Sequence, residues 1–462
     1  MSINTNDTIA AISTPVGTGG LGVIRLSGSD AIFIADKIFK TPNDSPLKDK
    51  STHTIHYGHI YDPDTGDMVD EVLVSLMRAP KTFTAEDVVE ISTHGSPAVL
   101  KKVLLLALRN GARHAEAGEF TKRAFLNGRI DLSRAEAVID VISSDSDASL
   151  SNALSQLEGS LYNAVEDIRQ PLLYALAQFA AAVDYPDEDI SELDEASLEN
   201  ILNECIEKCN TLLAGANDGR IAKEGICCVL TGCPNVGKSS LLNTLSGASR
   251  AIVTDVAGTT RDIIEESITI DSVAIRLIDT AGIRDTDDVV EKIGVEKCRD
   301  YIEAADMALV ILDASRTLSD EDIGVLSITE NKKRIILLNK SDLASKIDLQ
   351  KLDTYLKDDI IINISAKHNE GIKELKKAIV DLIGLKKITQ KSVMLSNVRH
   401  IAAVENAKTA LENAKETLLS GMPMDMCAID VSSALEEIGQ ITGVSVSADI
   451  VDKIFAEFCV GK

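Results

Sequence analysis

The chain lacks any apolar run long enough to span a bilayer. The longest, residues 172–183, is interrupted by Gln178 and falls short of the roughly 20 residues that a spanning helix needs. A transmembrane helix is therefore not expected. Positive charge is scarce: 47 Lys plus Arg stand against 72 Asp plus Glu, for a net charge of -25. That balance excludes generalised adhesion to nucleic acid or an anionic membrane and confines any nucleic-acid contact to a local basic patch. Residues 1–7 lack the basic end and apolar core of a secretory signal, so a cytoplasmic address is expected. The eight cysteines include Cys227 and Cys228 side by side in an apolar run, which suits neither a disulfide framework nor a zinc site and points to reduced thiols. Internal repeats are absent as well.

What is present is globular. Hydrophobic residues make up 45% and charged residues 26% of the 462, and at roughly 150 residues per domain this length suggests about three units. Residues 8–119 read as short apolar runs, at 9–12, 23–26, 69–77 and 88–91, with one helix over 99–108 that Ser96 can cap and Pro97 can start. Beyond Phe120 the apolar spacing becomes helical, at 135–141, 150–161, 172–183 and 198–213, with Pro171 expected to start or kink a helix and 215–225 expected to be a boundary. From 226 to 385, β-branched runs at 226–230, 274–278, 307–312, 335–338 and 360–364 alternate with amphipathic helices. That alternation predicts a doubly wound, mostly parallel sheet. Helical periodicity returns at 398–419 and 431–458. The expected architecture is multidomain: an α+β domain over 1–120, an all-α domain in two parts over 121–222 and 386–462, and between them an inserted Ras-like α/β domain over 223–385.

The inserted domain carries the strongest motif. Residues 232–239 read Gly-Cys-Pro-Asn-Val-Gly-Lys-Ser and fit G-x-x-x-x-G-K-[ST] between a strand run and a helical run that opens at Ser240. Such a loop, here with Asn235, Val236 and Gly237 at its tip, aims backbone N–H groups and a helix N-terminus at phosphate oxygens. Lys238 supplies a point charge to the outer phosphates and Ser239 a ligand for magnesium. Downstream, Asp279-Thr280-Ala281-Gly282 places a carboxylate behind the metal and a flexible glycine where a γ-phosphate would be sensed. Asn339-Lys340-Ser341-Asp342 follows another strand run, and Asp342 can accept from the N1–H and 2-amino edge of guanine, a pair that adenine lacks. Ser365-Ala366-Lys367 would complete the base pocket. The four elements in this order point to GTP rather than ATP.

The hydrolytic parts depart from the small-GTPase pattern. Ile283 stands where many of them place a water-orienting glutamine, and it cannot hydrogen-bond. Another group must hold the water. The acidic segment with Asp285, Asp287, Asp288 and Glu291 reads either as that holder or as a solvated loop. The loop Thr254-Asp255-Val256-Ala257-Gly258-Thr259-Thr260 can lend a hydroxyl to magnesium and backbone oxygens to a monovalent cation, which would neutralise transition-state charge without an arginine finger. Arg261 and Arg284 are the alternative fingers.

Over essentially its full length the chain resembles the MnmE (TrmE) family of tRNA modification GTPases. The marks are Asp7-Thr8-Ile9-Ala10-Ala11, the Gly19–Gly28 stretch GGLGVIRLSG, Glu86-Asp87-Val88-Val89-Glu90, the 118–128 stretch GEFTKRAFLNG, the inserted domain with its 254–260 loop, and the ending Phe458-Cys459-Val460-Gly461-Lys462. The resemblance implies a homodimer formed by the amino-terminal domain. It also implies a 5-formyl- or 5,10-methylene-tetrahydrofolate as one-carbon donor, with Arg25, Glu90, Arg129 and Lys462 at matching contact positions. A guanidinium and a terminal lysine suit folate carboxylates, and Glu90 suits pterin N–H groups. By the same resemblance potassium would bind through Asn235, Thr254, Val256 and Thr259 and drive G-domain dimerisation. Magnesium would sit on Ser239 and Thr260, and Glu291 would position the attacking water.

The implied partner is an MnmG (GidA)-like flavoprotein, carrying FAD and using NADH. With it the chain would form a heterotetramer or larger complex that adds a carboxymethylaminomethyl or aminomethyl group to C5 of tRNA wobble uridine 34. Cys459 matches the family's C-x-G-K ending as a possible catalytic residue; Gly461 and Lys462 argue against a prenylation box. His53, His56 and His59 read as a polar strand rather than a metal cluster. The competing reading is a GTP-switched ribosome-assembly or translation factor without one-carbon chemistry.

Overall fold

Period-two alternation shapes the longest strand of the first sheet, β5 (Met68–Met77): Val72, Val74 and Leu76 point inward and are buried, whereas Glu71 and Leu73 face outward. Around it stand β1 (Ile9–Ile12), β2 (Gly22–Ser27), β3 (Phe39–Lys40), β4 (Thr54–Tyr61), β6 (Val88–Thr93) and β7 (Arg113–His114), in the order β3-β4-β5-β6-β2-β1-β7. Two helices, α1 (Ala31–Ile38) and α2 (Pro97–Arg109), bury Ile34, Leu100 and Val103 against Ile24, Leu26 and Ile91 of the sheet. Pro97 does open α2, but the Ser96 side chain makes no capping bond. The histidine-bearing run forms β4, where His56 lies on the inward side and His59 on the outward one, with His53 preceding the strand.

These coordinates are a computed structural model that describes residues 7–184, 194–247, 265–270, 272–279, 300–383 and 393–462. The chain divides into two units, one of Met1–Ile142, Gln156–Cys209 and Ala402–Lys462, the other of Ser143–Ser155 and Asn210–Ile401. Past the first sheet come α3 (Glu119–Leu126), α4 (Leu132–Ser143), α5 (Asp147–Glu158), α6 (Ser160–Asp184) and α7 (Glu195–Ala214). The expected continuous run 150–161 is broken by Gly159, whose φ of +99° only glycine adopts readily. Of the two expectations for Pro171, a helix start is not met: it lies within α6, where its neighbours Leu172 and Ala175 are fully buried. Tertiary burial there overrides the local penalty.

In the second unit the alternation produces β8 (Ile226–Thr231), β9 (Glu265–Ile270), β10 (Val273–Asp279), β11 (Met307–Asp313), β12 (Arg334–Asn339) and β13 (Ile360–Asn363), ordered β13-β12-β11-β8-β10-β9. All neighbours are parallel except the hairpin pair β9 and β10. Every residue of β11 and β12 is buried, as central parallel strands covered on both faces require. Helices α8 (Ala216–Glu224), α9 (Lys238–Gly247), α10 (Asp320–Ile328), α11 (Leu349–Asp353) and α12 (Ile372–Ile383) are among those described in this unit. The segment read as a boundary is thus the helix α8, which places Ile221 and Ala222 in the core of this unit. Burial pushes the thiol of Cys233 up to about 11, with a hydrogen bond to Asp322 adding to it.

The chain ends in α13 (Val398–Leu419), α14 (Met424–Thr442) and α15 (Ala448–Ala456), the last two separated by Gly443 at φ +90° rather than joined over 431–458. Val451, Phe455 and Phe458 pack on Leu132 and Ala135. Beside them lies a charged cluster centred on α3. Glu119, Arg123 and Asn127, spaced four residues apart, fall on one face of that helix and its end. Arg123 is fully buried and donates to Asp7 Oδ1 at 2.5 Å, Glu119 Oε1 at 3.0 Å and Glu86 at 3.3 Å. Arg113 adds bonds to Asp7 and Glu119 at 2.6 and 2.5 Å.

Burial alone raises the Asp7 and Glu119 carboxyls, but the hydrogen bonds from Arg113 and Arg123 outweigh it and hold both below their ordinary values. Because their folded values are lowered, the stability they contribute is complete above about pH 4.5, the ordinary glutamate value, and is lost as pH falls through the lowered values. We expect Arg123→Met to cost about 3–5 kcal/mol by leaving buried carboxylates unpaired. Urea unfolding, with hydrogen exchange over residues 119–127 as the local probe, should show that deficit at pH 7 and a smaller one near pH 4.

Candidate functional site

The central strand β8 delivers the phosphate-type loop to the carboxyl edge of the sheet, where open α/β folds bind ligands. Gly232 there has φ +152°, and a Cβ on it would collide with the carbonyl of Ile311 in the neighbouring β11. Left-handed turns at Asn235 and Gly237, with φ of +62° and +100°, curl the loop before α9 begins at Lys238. Such curling gathers backbone N–H groups into an anion-binding concavity. The Lys238 side chain is buried across the hoop, donating from Nζ to the carbonyls of Gly232 and Cys233 at 2.7 and 3.0 Å. Ser239, Ser240 and Asn235 are exposed at the mouth.

The residues expected on the base side converge on the same edge. Asn339, the buried last residue of β12, donates from Nδ2 to the Val236 carbonyl at 2.7 Å and accepts from the Ala366 N–H at 3.1 Å. One amide thereby ties the phosphate loop to the Ser365–Lys367 loop. Thr244 of α9 reinforces the tie by donating to the Ala366 carbonyl at 3.0 Å. Asp342 is exposed, and its Oδ1 accepts from Ser365 Oγ at 2.7 Å. That hydrogen bond, with weaker help from the positive charges of His368 and Lys367, holds its carboxyl below the usual range. Asp342 is thus an ionised acceptor with its other oxygen turned toward His368 at 3.9 Å. Lys367 is exposed beside it.

Asp279 closes β10 and pairs in register with Leu230 of β8, which brings its backbone alongside the start of the phosphate loop. Thr254, Asp255, Val256, Ala257, Gly258, Thr259, Thr260, Thr280, Ala281, Gly282 and Glu291 lie outside the described residues. Sequence reasoning missed Thr244 and Asp313. The signal for Asp313 was available: a polar residue ends each parallel run next to the loop, Asp279 after 274–278, Asn339 after 335–338 and Asp313 after 307–312.

In the first unit a second polar site is assembled from distant parts of the chain. Arg25 on β2 and Glu90 on β6 are register partners, and Arg25 Nη2 meets Glu90 Oε1 at 2.7 Å. The carboxyl-terminal tail runs past them: Val460 bridges Ala117, and the Gly461 carbonyl accepts from Ser13 Oγ at 3.0 Å and Arg25 Nη1 at 3.4 Å. Gly461 sits at φ +94°, where an added Cβ would strike the Ile12 carbonyl. Arg25 lies 5.7 and 5.6 Å from the ring centres of Phe83 and Phe120, and Arg129 lies 5.3 Å from Phe83 on the same loop, whose carbonyl it also binds at 3.0 Å. Lys462 is half-buried and Cys459 exposed. Arg25, Glu90, Arg129 and the tail are therefore brought together.

Comparison with known proteins bears on the family. The family described as the MnmE helical domain matches residues 132–459, and the one described as the GTP-binding protein TrmE N-terminus matches residues 8–129. The tRNA modification GTPase MnmE of Geobacillus kaustophilus is 48% identical over 458 residues, and that of Acetivibrio thermocellus 49% over 457, with 99% of both chains covered in each case. Among solved structures, the G domain of the T. maritima FeoB iron transporter aligns with 34% of this chain and 98% of its own, at 32% identity and a TM-score of 0.27.

Gly237 offers the sharpest test of the loop. It needs a positive φ, and an added Cβ would clash with Asn339 Nδ2, so Gly237→Ala both strains the backbone and displaces the amide that joins the two loops. Strain of order 1–3 kcal/mol leads us to expect GTP binding weaker by about tenfold or more, read by fluorescent-nucleotide titration, with unchanged circular dichroism.

Proposed function

The chain belongs to the MnmE (TrmE) family of tRNA modification GTPases, and on that footing we propose how its two polar sites share the work. It is a GTP-hydrolysing enzyme of tRNA modification. The proposed reaction places a carboxymethylaminomethyl or aminomethyl group on C5 of wobble uridine 34, with a tetrahydrofolate as one-carbon donor and a flavin- and NADH-using MnmG-like partner. The observation that carries the nucleotide half is the Asn339 amide, which holds the phosphate loop and the base loop as one preorganised pocket.

In that pocket Lys238 would neutralise the outer phosphates while the loop N–H groups and the α9 terminus orient them. Asp342, kept ionised by Ser365, would accept from the guanine edge. Exposed Ser239, one residue into α9, fits magnesium, which takes one or two protein oxygens and completes its shell from phosphate and water. Thr260 would supply the second hydroxyl. Magnesium and potassium would supply positive charge to the phosphates, the latter held by Asn235, Thr254, Val256 and Thr259. Asn235 fits, being exposed and left-handed at the loop tip. Glu291 would orient the attacking water, and potassium-dependent pairing of G domains would complete the site.

For the one-carbon half, the ion pair of Arg25 with Glu90, flanked by Phe83, Phe120, Arg129 and Lys462, supports a folate reading. An arginine recognises carboxylates in bidentate fashion and aromatic faces suit a flat pterin. Cys459, exposed on the tail, is retained as a candidate near that site. The homodimer reading is supported by the outward face of β4 and β5, where Tyr57 and Leu73 are register partners and both, with Ile55, are exposed. An apolar patch of that kind marks an interaction surface. The division at 1–120, 121–222, 223–385 and 386–462 belongs to the same reading. No helix among the described residues is long and apolar enough to cross a membrane.

Two measurements test this. Mass spectrometry of tRNA from cells lacking the protein should show wobble uridine without its C5 substituent; intact modification would overturn the assignment. Replacing sodium by potassium should raise GTP turnover, and Glu291→Ala should lower it by about 100-fold or more with little change in GTP affinity. An equal loss of affinity and rate would remove Glu291 from the water-positioning role.

A further inference from the structure

Among the buried titratable groups that the reaction above does not use, Asp313 stands at the nucleotide pocket. It ends β11, opposite Asn339 of β12 in the parallel register, and the N–H of Ala314 donates to the Asn339 carbonyl at 2.9 Å. Its carboxylate is 8% exposed and fully engaged. Oδ1 accepts from the Ser315 N–H at 2.9 Å and Ser315 Oγ at 2.6 Å, while Oδ2 accepts from Lys340 Nζ at 2.6 Å. Lys340 is the second residue of the Asn339–Asp342 motif, and its backbone φ of +65° is left-handed, a conformation that a lysine adopts only under constraint.

The lysine is therefore held at both ends. Its backbone is set by the turn that follows β12, and its ammonium is drawn back to the neighbouring strand. Between the two anchors the four-carbon stem stretches along the carboxyl edge of the sheet, with the side chain about one-third exposed (34%). It lies two residues before Asp342, the acceptor for the base edge. A free lysine samples many rotamers, and one that is fixed only when a ligand binds loses that freedom on binding. Long lysine stems cover apolar surface while the charged head finds a polar partner.

We infer that Asp313 is a positioning residue for guanine-nucleotide binding: by anchoring the Lys340 ammonium and being itself oriented by Ser315, it preforms the wall of the base pocket against which the purine ring lies. This rests on the guanine-pocket reading of Asp342. The anchor acts on ground-state and transition-state binding alike, so its loss raises KM and leaves kcat at saturating GTP nearly untouched. GTP and GDP are affected equally, since both present the same base.

The test uses the full-length protein. Asp313→Asn keeps the shape and the Ser315 bonds but removes the charge that holds the lysine. We expect KM for GTP and the dissociation constants of fluorescent GTP and GDP to rise about tenfold, the loss that one immobilised flexible side chain accounts for, with kcat within about twofold. Ser315→Ala, a milder change, should weaken both nucleotides by about threefold. Adding Asp313→Asn to Lys340→Met should bring no further loss, because the two residues act as one. Unchanged affinity in both Asp313→Asn and Ser315→Ala, fully additive losses in the cycle, or a fall in kcat matching the rise in KM would overturn the proposal. Asp342→Asn separates the two readings: if it leaves the preference for guanine unchanged, the pocket reading itself fails, whereas a weakened preference beside normal binding by Asp313→Asn defeats only the anchor.

Discussion

Two hydrogen bonds on one side-chain amide organise the nucleotide unit. Asn339 donates to Val236 and accepts from Ala366, and because it is buried, neither bond competes with water. The loop that carries Val236, 103 residues away along the chain, is thereby set against the Ser365–Lys367 loop. Removing either partner would leave a buried polar group unpaired, so the two loops keep their relative position before any nucleotide arrives. Gly237 obeys the same constraint, since only a residue without a Cβ leaves room for the amide. The carboxyl edge of a parallel sheet makes such an arrangement available: β8, β11 and β12 end side by side, and the residues that end β11 and β12 reach neighbouring segments.

The first unit solves a related problem with charge. Its polar site draws on β2, β6, the Phe83 loop and the last residues of the chain, parts that no local pattern would associate. Beneath it the buried guanidinium of Arg123 reaches Asp7, Glu86 and Glu119, and Asn127 donates to the Thr84 carbonyl at 2.7 Å. The helix α3 thus grips the 82–87 loop that presents Phe83. Breaking such a cluster on one side is costly because the remaining charges stay buried. This gives a physical reason for the stretch GEFTKRAFLNG, whose Glu119, Arg123 and Asn127 recur at four-residue spacing.

Local signals were read well where they were strong and local. The five apolar runs of the second unit became β8, β10, β11, β12 and β13, and Asn339 lies against the loop that carries Gly237 while Asp342 lies against Ser365. Packing decided what they left open. Pro171, read as starting or kinking a helix, sits inside α6, where the flanking Leu172 and Ala175 are buried, and residues 216–224, read as part of a boundary, form a helix that buries Ile221. The edge strand β9 went unnoticed, for its alternation is short, with only Ile268 and Ile270 buried, and its pairing with β10 completes it.

The sequence by itself determined the periodicities, the order of the elements and the chemistry of the nucleotide motifs, because those depend on residues within a few positions of one another. Full-length resemblance added the family. Only the tertiary structure decided which distant groups meet: the tail against Arg25, Asn339 between two loops, and Asp313 on Lys340. Such contacts arise when strand register and helix packing bring separate segments to hydrogen-bond distance, and no neighbouring residue in the chain records them.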